Sequence, residues 1–147
     1  VRGPKEPVVF EALTDWTTNS NDLIKYYSGT AVYKSSFKLD AAPDGNHILI
    51  DLGDFVAMAR VKVNGQDAGG LWTAPYTLDI TDLVKAGDNE VEIEVVNTWL
   101  NRLIGDLNLP EAKRTTWAAI NSWKADSPLQ KAGLFGPVVI ESVDYAE

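Results

Sequence analysis

Trp99, Asn101, Arg102 and Asp106 lie within eight residues of one another and combine the side-chain types that bind sugars. The apolar C–H face of a sugar ring packs on an indole ring. Sugar hydroxyls exchange hydrogen bonds with guanidinium, amide and carboxylate groups. This stretch is therefore a candidate sugar-binding site. A structural reading stays open beside it, in which Trp99 covers the end of the fold and Arg102 pairs with Asp106.

Trp117 and Trp123 are further candidates, and they lie farther along the same segment. Each indole could serve as a sugar platform, as part of a small loop core, or as a contact for another domain. The same aromatic and polar residue types serve a sugar site and a docking face, so both readings stay open. The candidates for sugar binding or docking are Trp99, Asn101, Arg102, Asp106, Trp117 and Trp123. Trp16 and Trp72 are instead predicted to pack inside the fold.

Asp106 and Glu111 are the best candidates for a pair of catalytic carboxylates. A glycosidase needs two such groups about 5 to 9.5 Å apart across a cleft. Among 21 acidic residues some pair meets that distance by chance. A serine triad would need His47, the only histidine, and no nucleophile elbow accompanies it. We predict no catalytic residue in this chain and keep a small glycosidase that uses the loop carboxylates as the alternative.

An oxygen-rich segment near the start of the chain contains Asp15, Asn19, Asn21 and Asp22. Carboxylate and amide oxygens are calcium ligands, but the spacing is not that of an EF-hand and the terminal Glu is missing. Capping and turn formation are the favoured explanation of these residue types. We predict no metal centre or other cofactor, with Asp15, Asn19 and Asp22 as the weak candidates for a structural calcium ion.

The composition is that of one soluble globular domain: 147 residues, 45% hydrophobic and 10% aromatic. The net charge of −8 repels phosphate groups, which argues against a nucleic-acid partner. No apolar run reaches the roughly 20 residues of a membrane span. The absence of cysteine excludes disulfides and thiol chemistry. The chain begins at Val1 without Met, which we interpret as a mature product or a piece of a longer protein.

Alternating apolar residues predict short β-strands through most of the chain. The clearest case is the stretch from Glu90 to Val96, where Val91, Ile93 and Val95 alternate with glutamates. Asn64-Gly65 predicts a tight hairpin. Gly69-Gly70 predicts a bulge or a close backbone approach. The eight predicted strands are Val8–Ala12, Thr30–Leu39, Ile48–Leu52, Ala59–Val63, Gln66–Leu71, Tyr76–Ile80, Glu90–Val96 and Pro137–Val143. This pattern predicts an all-β antiparallel sandwich or jelly roll that forms a single domain over residues 1–147.

One long segment between Val96 and Val138 interrupts the strand pattern. Its length of about forty residues greatly exceeds a typical connection, and such loops are usually functional or disordered. Three of the five tryptophans lie in it, together with several leucines and isoleucines, so disorder is disfavoured. We therefore expect an irregular loop that carries the functional surface.

Four sequence segments resemble known carbohydrate enzymes. Val61–Leu83, "VKVNGQDAGGLWTAPYTLDITDL", resembles the sugar-binding β-sandwich of family 2 glycoside hydrolases. Three others, Asn97–Asp106 ("NTWLNRLIGD"), Leu109–Trp117 ("LPEAKRTTW") and Gly133–Ile140 ("GLFGPVVI"), are similar to the C-terminal part of the large bacterial α-L-rhamnosidases of family 106. Their occurrence together and in order is more specific than any one of them.

The resemblance implies a galactose-binding-like jelly roll that accompanies a catalytic domain outside this chain. The families' catalytic carboxylates belong to that other domain. We expect a non-catalytic carbohydrate-binding or accessory module of a bacterial glycoside hydrolase of the α-L-rhamnosidase or β-galactosidase type. Such an enzyme would act on plant or host glycans in the periplasm or outside the cell. The isolated module is expected to be a monomer, and a docking module without sugar affinity is the leading alternative.

Overall fold

The computed structural model describes residues 3–120 and 122–144 and shows a sandwich of antiparallel sheets. The strands are β1 (Thr30–Leu39), β2 (His47–Asp51), β3 (Asp54–Phe55), β4 (Met58–Val63), β5 (Gln66–Leu71), β6 (Thr77–Asp79), β7 (Gly87–Val96), β8 (Leu134–Gly136) and β9 (Val139–Val143). The helices are α1 (Asp22–Lys25) and α2 (Leu100–Leu107), with 3-10 turns at Trp16–Thr18, Thr81–Leu83 and Glu111–Lys113. None of the described helices is long and apolar enough to cross a membrane.

Three sheets build the sandwich. The largest has the strand order β1-β7-β4-β5, the second β6-β2-β9, and the third joins β3 to β8. Within residues 3–120 and 122–144, the pairs formed by these nine strands are antiparallel. The predicted all-β antiparallel architecture is therefore confirmed.

The hydrophobic core lies between the sheets and includes residues of the four-stranded and the three-stranded sheet. Ile50, Val61, Ile80, Val95 and Leu134 are at most 1% exposed. The alternation in β7 directs one face of the strand into the core. Val91, Ile93 and Val95 are buried on that face, whereas Glu90 is exposed. Burial on this scale supplies the main driving force for the fold.

The hairpin forms where the sequence predicts it, and the bulge lies directly before the predicted Gly69-Gly70 position. Asn64 and Gly65 both have positive φ, 51° and 79°, and they connect β4 to β5. The register then shifts between Val61 and Lys62, which pair with Gly69 and Asp67, so Ala68 is the extra residue of a bulge.

Several segments differ from the sequence prediction, which included neither β3 nor β8. Val8–Ala12 forms no strand, and Val9 is 90% exposed. The long segment before β8 is not irregular throughout, because it contains α2 and a 3-10 turn. Leu100, Leu103 and Leu107 recur at helical spacing, a signal that was present in the sequence.

Candidate functional site

The segment 97–132, here called the long loop, is tied back to the chain at both ends by asparagine side chains. Asn97 accepts a hydrogen bond from the Gly133 amide at 2.8 Å. Asn101 donates to the Gln130 carbonyl at 2.6 Å and accepts from the Gln130 amide at 2.9 Å. These contacts join α2 to residues almost thirty positions away, so the loop has a defined conformation around them.

Arg102 and Asp106 form an ion pair inside the loop. Their side chains are 10% and 3% exposed, and Arg102 Nη2 lies 2.5 Å from Asp106 Oδ1. The other oxygen, Oδ2, accepts four hydrogen bonds from the amides and hydroxyls of Thr115 and Thr116. Burial raises the pKa of Asp106, but the threonine donors and the Arg102 charge together outweigh it and lower the pKa. The carboxylate is thus held in its ionised form.

The polar members of the proposed sugar site therefore face the protein. Asn101, Arg102 and Asp106 are buried, which matches the structural reading in which Arg102 and Asp106 hold the loop together. Asp106 is also a poor catalytic acid, because a buried carboxylate that is held in its ionised form has no proton to transfer. Glu111 lies in an exposed 3-10 turn.

Several large apolar side chains of the long loop are exposed, although Ile104 is buried and Leu100, Leu103 and Leu107 are half-buried. Trp99 is 59% exposed, Trp117 82% and Trp123 43%. Ile120 is 88% exposed and Leu109 37%. The loop thus buries its charged pair and displays aromatic and aliphatic groups, and the roles of the three tryptophans remain predictions.

The tryptophans outside the loop divide between core and surface. Trp16 is buried, as predicted, and its indole N–H donates to the Tyr33 hydroxyl at 2.7 Å. Trp72 is 69% exposed, so the prediction that it packs inside the fold is wrong. Leu71, directly before Trp72, is buried, and the alternation of a strand directs the next side chain outward.

The candidate calcium ligands act as caps in the structure. Asp15 accepts from the amides of Thr17 and Ala132, at 2.9 and 3.2 Å. Asn19 accepts from the Asn21 amide at 2.8 Å, and Asp22 lies in the first turn of α1. Over residues 3–120 and 122–144, no group of three or more His, Cys, Asp or Glu side chains is arranged to hold a metal ion. These contacts support the capping explanation.

The sequence profile of the glycosyl hydrolase 2 galactose-binding domain-like family matches residues 12–129. The chain belongs to this family. It is 37% identical over 158 residues to a putative beta-glucuronidase of Formosa agariphila, a match that covers 90% of this chain and 14% of the relative. The predicted family resemblance is thereby confirmed.

Solved structures give the same result. A rhamnosidase from Novosphingobium sp. PP1Y superposes with a TM-score of 0.80 at 42% identity, covering 87% of this chain and 12% of that one. A Ruminococcus gnavus beta-glucuronidase matches with a TM-score of 0.55 at 21% identity, over 65% of this chain and 17% of that one, which supports the fold alone. The chain corresponds to a small galactose-binding-like part of these enzymes, and the catalytic part lies in the remainder.

Proposed function

We propose that this chain is a non-catalytic accessory module of a longer glycoside hydrolase and that the long loop packs against another part of the same enzyme. The observation that carries this proposal is the outward display of large apolar groups while the charged pair is buried. Ile120 and Trp117 are more than 80% exposed. Several large exposed apolar side chains in one segment suggest a surface that a partner covers.

Helix α2 supports the same proposal. Leu100 and Leu103 are only half-buried, whereas the buried positions are Asn101, Arg102, Ile104, Gly105 and Asp106. An amphipathic helix in an isolated domain normally turns its apolar stripe to the core. A leucine stripe that is only half-buried in this chain could be covered fully by another part of the enzyme.

The parent enzyme is proposed to hydrolyse plant or host glycans as a bacterial α-L-rhamnosidase or a related glycosidase. The rhamnosidase with a TM-score of 0.80 supports the rhamnosidase assignment. The 37% identity to a putative beta-glucuronidase supports the broader assignment to a related glycosidase. A periplasmic or extracellular location is part of the proposal, because an enzyme encounters polymeric glycans in those compartments. The absence of cysteine is compatible with an oxidising compartment.

Carbohydrate binding by the long loop is the second candidate function. The exposed indoles of Trp99 and Trp117 favour it, since each presents a ring face on which a sugar can stack. The family's galactose-binding-like description agrees with this candidate. Its weakness is that the polar groups expected to bind hydroxyls beside Trp99 are buried.

A split-enzyme experiment separates the two candidates. The chain and the remainder of its parent enzyme are produced separately, and their association is measured by calorimetry for wild type, Trp117→Ala and Ile120→Ser. We expect association that weakens at least about tenfold in both variants, as for central residues of an interface. Val9→Ser is the matched control, because Val9 is 90% exposed but lies outside the loop.

The same variants are titrated with rhamnose- and galactose-containing oligosaccharides. Sugar binding that is lost in Trp117→Ala, without association of the two parts, would establish the second candidate in place of docking. Absence of both association and sugar binding would refute the proposed role of the loop.

A further inference from the structure

The long loop differs in charge from the rest of the chain. Its 36 residues, 97–132, contain five basic and three acidic side chains, which gives a formal net charge of +2. The other 111 residues contain eight basic and eighteen acidic side chains, a net charge of −10. The segment that displays large apolar groups is therefore basic, although the chain as a whole is acidic.

Two parts of the long loop are hydrogen-bonded to the C-terminal end of α2. Asp106 Oδ2 accepts hydrogen bonds from the backbone amides of Thr115 and Thr116, both at 2.7 Å. Asn108, the residue after the helix, donates through Nδ2 to the Ala125 carbonyl at 3.1 Å. Because Asp106 and Asn108 are only two positions apart, both parts of the loop lie against the same end of α2.

Basic and aromatic side chains flank both of these attachment points. Arg114 and Trp117 come directly before and after the two threonines, and Trp123 and Lys124 come directly before the attached alanine. All four side chains are exposed, as is that of Lys113. We call these five residues the basic rim. Since α2 holds both of its parts, the rim has a defined place on the loop.

Arg114 is oriented within the rim. Its Nε donates to the Leu109 carbonyl at 3.1 Å, and the side chain remains exposed. Bonding through Nε fixes the plane of the guanidinium group and leaves its two terminal nitrogens for an incoming acceptor. A planar pair of N–H donors matches the two oxygens of a carboxylate.

Acidic side chains offset only part of the positive charge of the loop. The third carboxylate, that of Asp106, is buried against Arg102 and adds nothing to the surface. The exposed charges of the loop are therefore four basic and two acidic: Lys113, Arg114, Lys124 and Lys131 against Glu111 and Asp126. The exposed surface of the loop keeps the net charge of +2.

We infer, on the basis of the proposed docking role, that the surface covered by the long loop is acidic, with Asp and Glu side chains of the remainder of the parent enzyme paired to the basic rim. The exposed indole and aliphatic groups form the apolar centre of such an interface, and the lysines and the arginine form its polar edge. Opposite charges across an interface fix its orientation and raise the association rate. The acidic sandwich repels the same surface, so the loop is the face that meets it.

The test measures association of the chain with the separately produced remainder of the parent enzyme. Lys113→Glu/Lys124→Glu reverses two charges of the rim, and Lys38→Glu/Lys85→Glu is the matched control with the same net charge. The two control lysines are exposed near the first residues of β7, whereas the loop follows its last residue. Ten strand residues separate these ends by about 30 Å, well beyond the screening length at physiological salt. We expect the rim variant to weaken association at least about tenfold more than the control.

The opposite change should strengthen association. Glu111→Gln/Asp126→Asn removes the exposed acidic side chains of the loop, and we expect affinity to rise by about threefold or more. A stronger complex cannot come from a damaged fold, and thermal melts check the folding of every variant. The difference in affinity between the rim variant and its control should shrink as NaCl rises from about 0.05 to about 0.5 M, because salt screens exposed charges.

The outcomes separate this inference from the docking role itself. Association that is weakened by Trp117→Ala but unchanged in both loop charge variants would overturn the inference and leave the docking role in place. Association that strengthens in the rim variant would mean that the covered surface is basic. Binding of an oligogalacturonide that is lost in the rim variant, with association unchanged, would assign the rim to an anionic sugar instead. Absence of association for the wild type would refute the docking role and this inference together.

Discussion

Asp106 stabilises the long loop through contacts that are distant in sequence. One carboxylate oxygen lies against the Arg102 guanidinium, and the other accepts hydrogen bonds from Thr115 and Thr116. A buried carboxylate with this many partners tolerates little change, because removal of its charge leaves the Arg102 charge buried without compensation. The residue is best understood as the centre of a small polar core.

Asp106→Asn should therefore lower the free energy of unfolding by about 3 to 5 kcal/mol. The measurement is denaturant unfolding, compared at a constant m-value. Asp126→Asn is the control in the same loop, and because Asp126 is exposed it should change stability by less than about 0.5 kcal/mol. Equal effects of the two variants would show that the polar core contributes nothing to stability.

Asp79 predicts a pH dependence. Hydrogen bonds from the hydroxyl and amide of Thr81, and then one with His47, lower the pKa of Asp79 from 3.8 to about 2. A carboxyl with a lowered folded-state pKa stabilises the fold above its unfolded pKa, and this contribution is lost as the pH falls toward the folded value. The stability difference between wild type and Asp79→Asn should therefore narrow as the pH falls from about 4 to about 2.

Chemical unfolding at several pH values measures this difference. The effect should be modest, since the Asp79 side chain is about half-exposed and solvent screens it. Asp67 and Glu92 also have lowered pKa values, so the wild type loses stability in acid from several groups. A stability difference between wild type and Asp79→Asn that stays constant from about pH 4 to about pH 2 would contradict the role of Asp79.

At the scale of elements, helix α2 depends on a close approach to Tyr26. A Cβ built at Gly105 would lie 2.6 Å from Tyr26 Cγ and 2.7 Å from Tyr26 Cβ. Such distances are too short for any side chain, so glycine is required where the helix and the residue after α1 meet. The requirement for glycine at position 105 arises from packing against Tyr26 and not from the conformation of the helix.

Gly105→Ala should accordingly destabilise the chain, although Ala is better than Gly by about 1 kcal/mol in a helix without such a contact. Overpacking typically costs about 1 to 3 kcal/mol. Thermal or denaturant unfolding gives the sign directly. A double-mutant cycle with Tyr26→Ala should show that the penalty of Gly105→Ala shrinks when the ring is removed. A stabilising Gly105→Ala would mean that α2 does not pack on Tyr26.

Local patterns predicted some elements well and others poorly. β7 was predictable because its glutamates and apolar residues alternate, and the hairpin because Asn64 and Gly65 tolerate positive φ. Val8–Ala12 has strand-like residues but forms no ladder, since a strand also needs a hydrogen-bonded neighbour. Helix α2 spans only eight residues, and its leucine spacing lies inside a long segment without strand character, so the sequence pattern predicted an irregular loop over the whole segment.

For the whole molecule, we predict no glycosidase activity. The isolated chain should hydrolyse aryl α-L-rhamnosides and aryl β-glucuronides no faster than buffer between about pH 4 and pH 8, because its best-placed acid, Asp106, is buried and held ionised by its donors. Chromogenic assays measure this rate. Glu111→Gln is the control for the exposed carboxylate of the loop, and turnover abolished by that variant would establish catalysis in this chain.

The sequence by itself determined the antiparallel β class, the turn at Asn64-Gly65 and the family, because these depend on residues close together along the chain. It also located the aromatic content of the long loop. Only the tertiary structure decided which of those residues reach the surface. Asn101 is covered through Gln130, and Asp106 through Thr115 and Thr116. Arg60 and Gly70 become neighbours only through the pairing of β4 with β5. Exposure and adjacency depend on partners that are remote in sequence, which a local pattern does not identify.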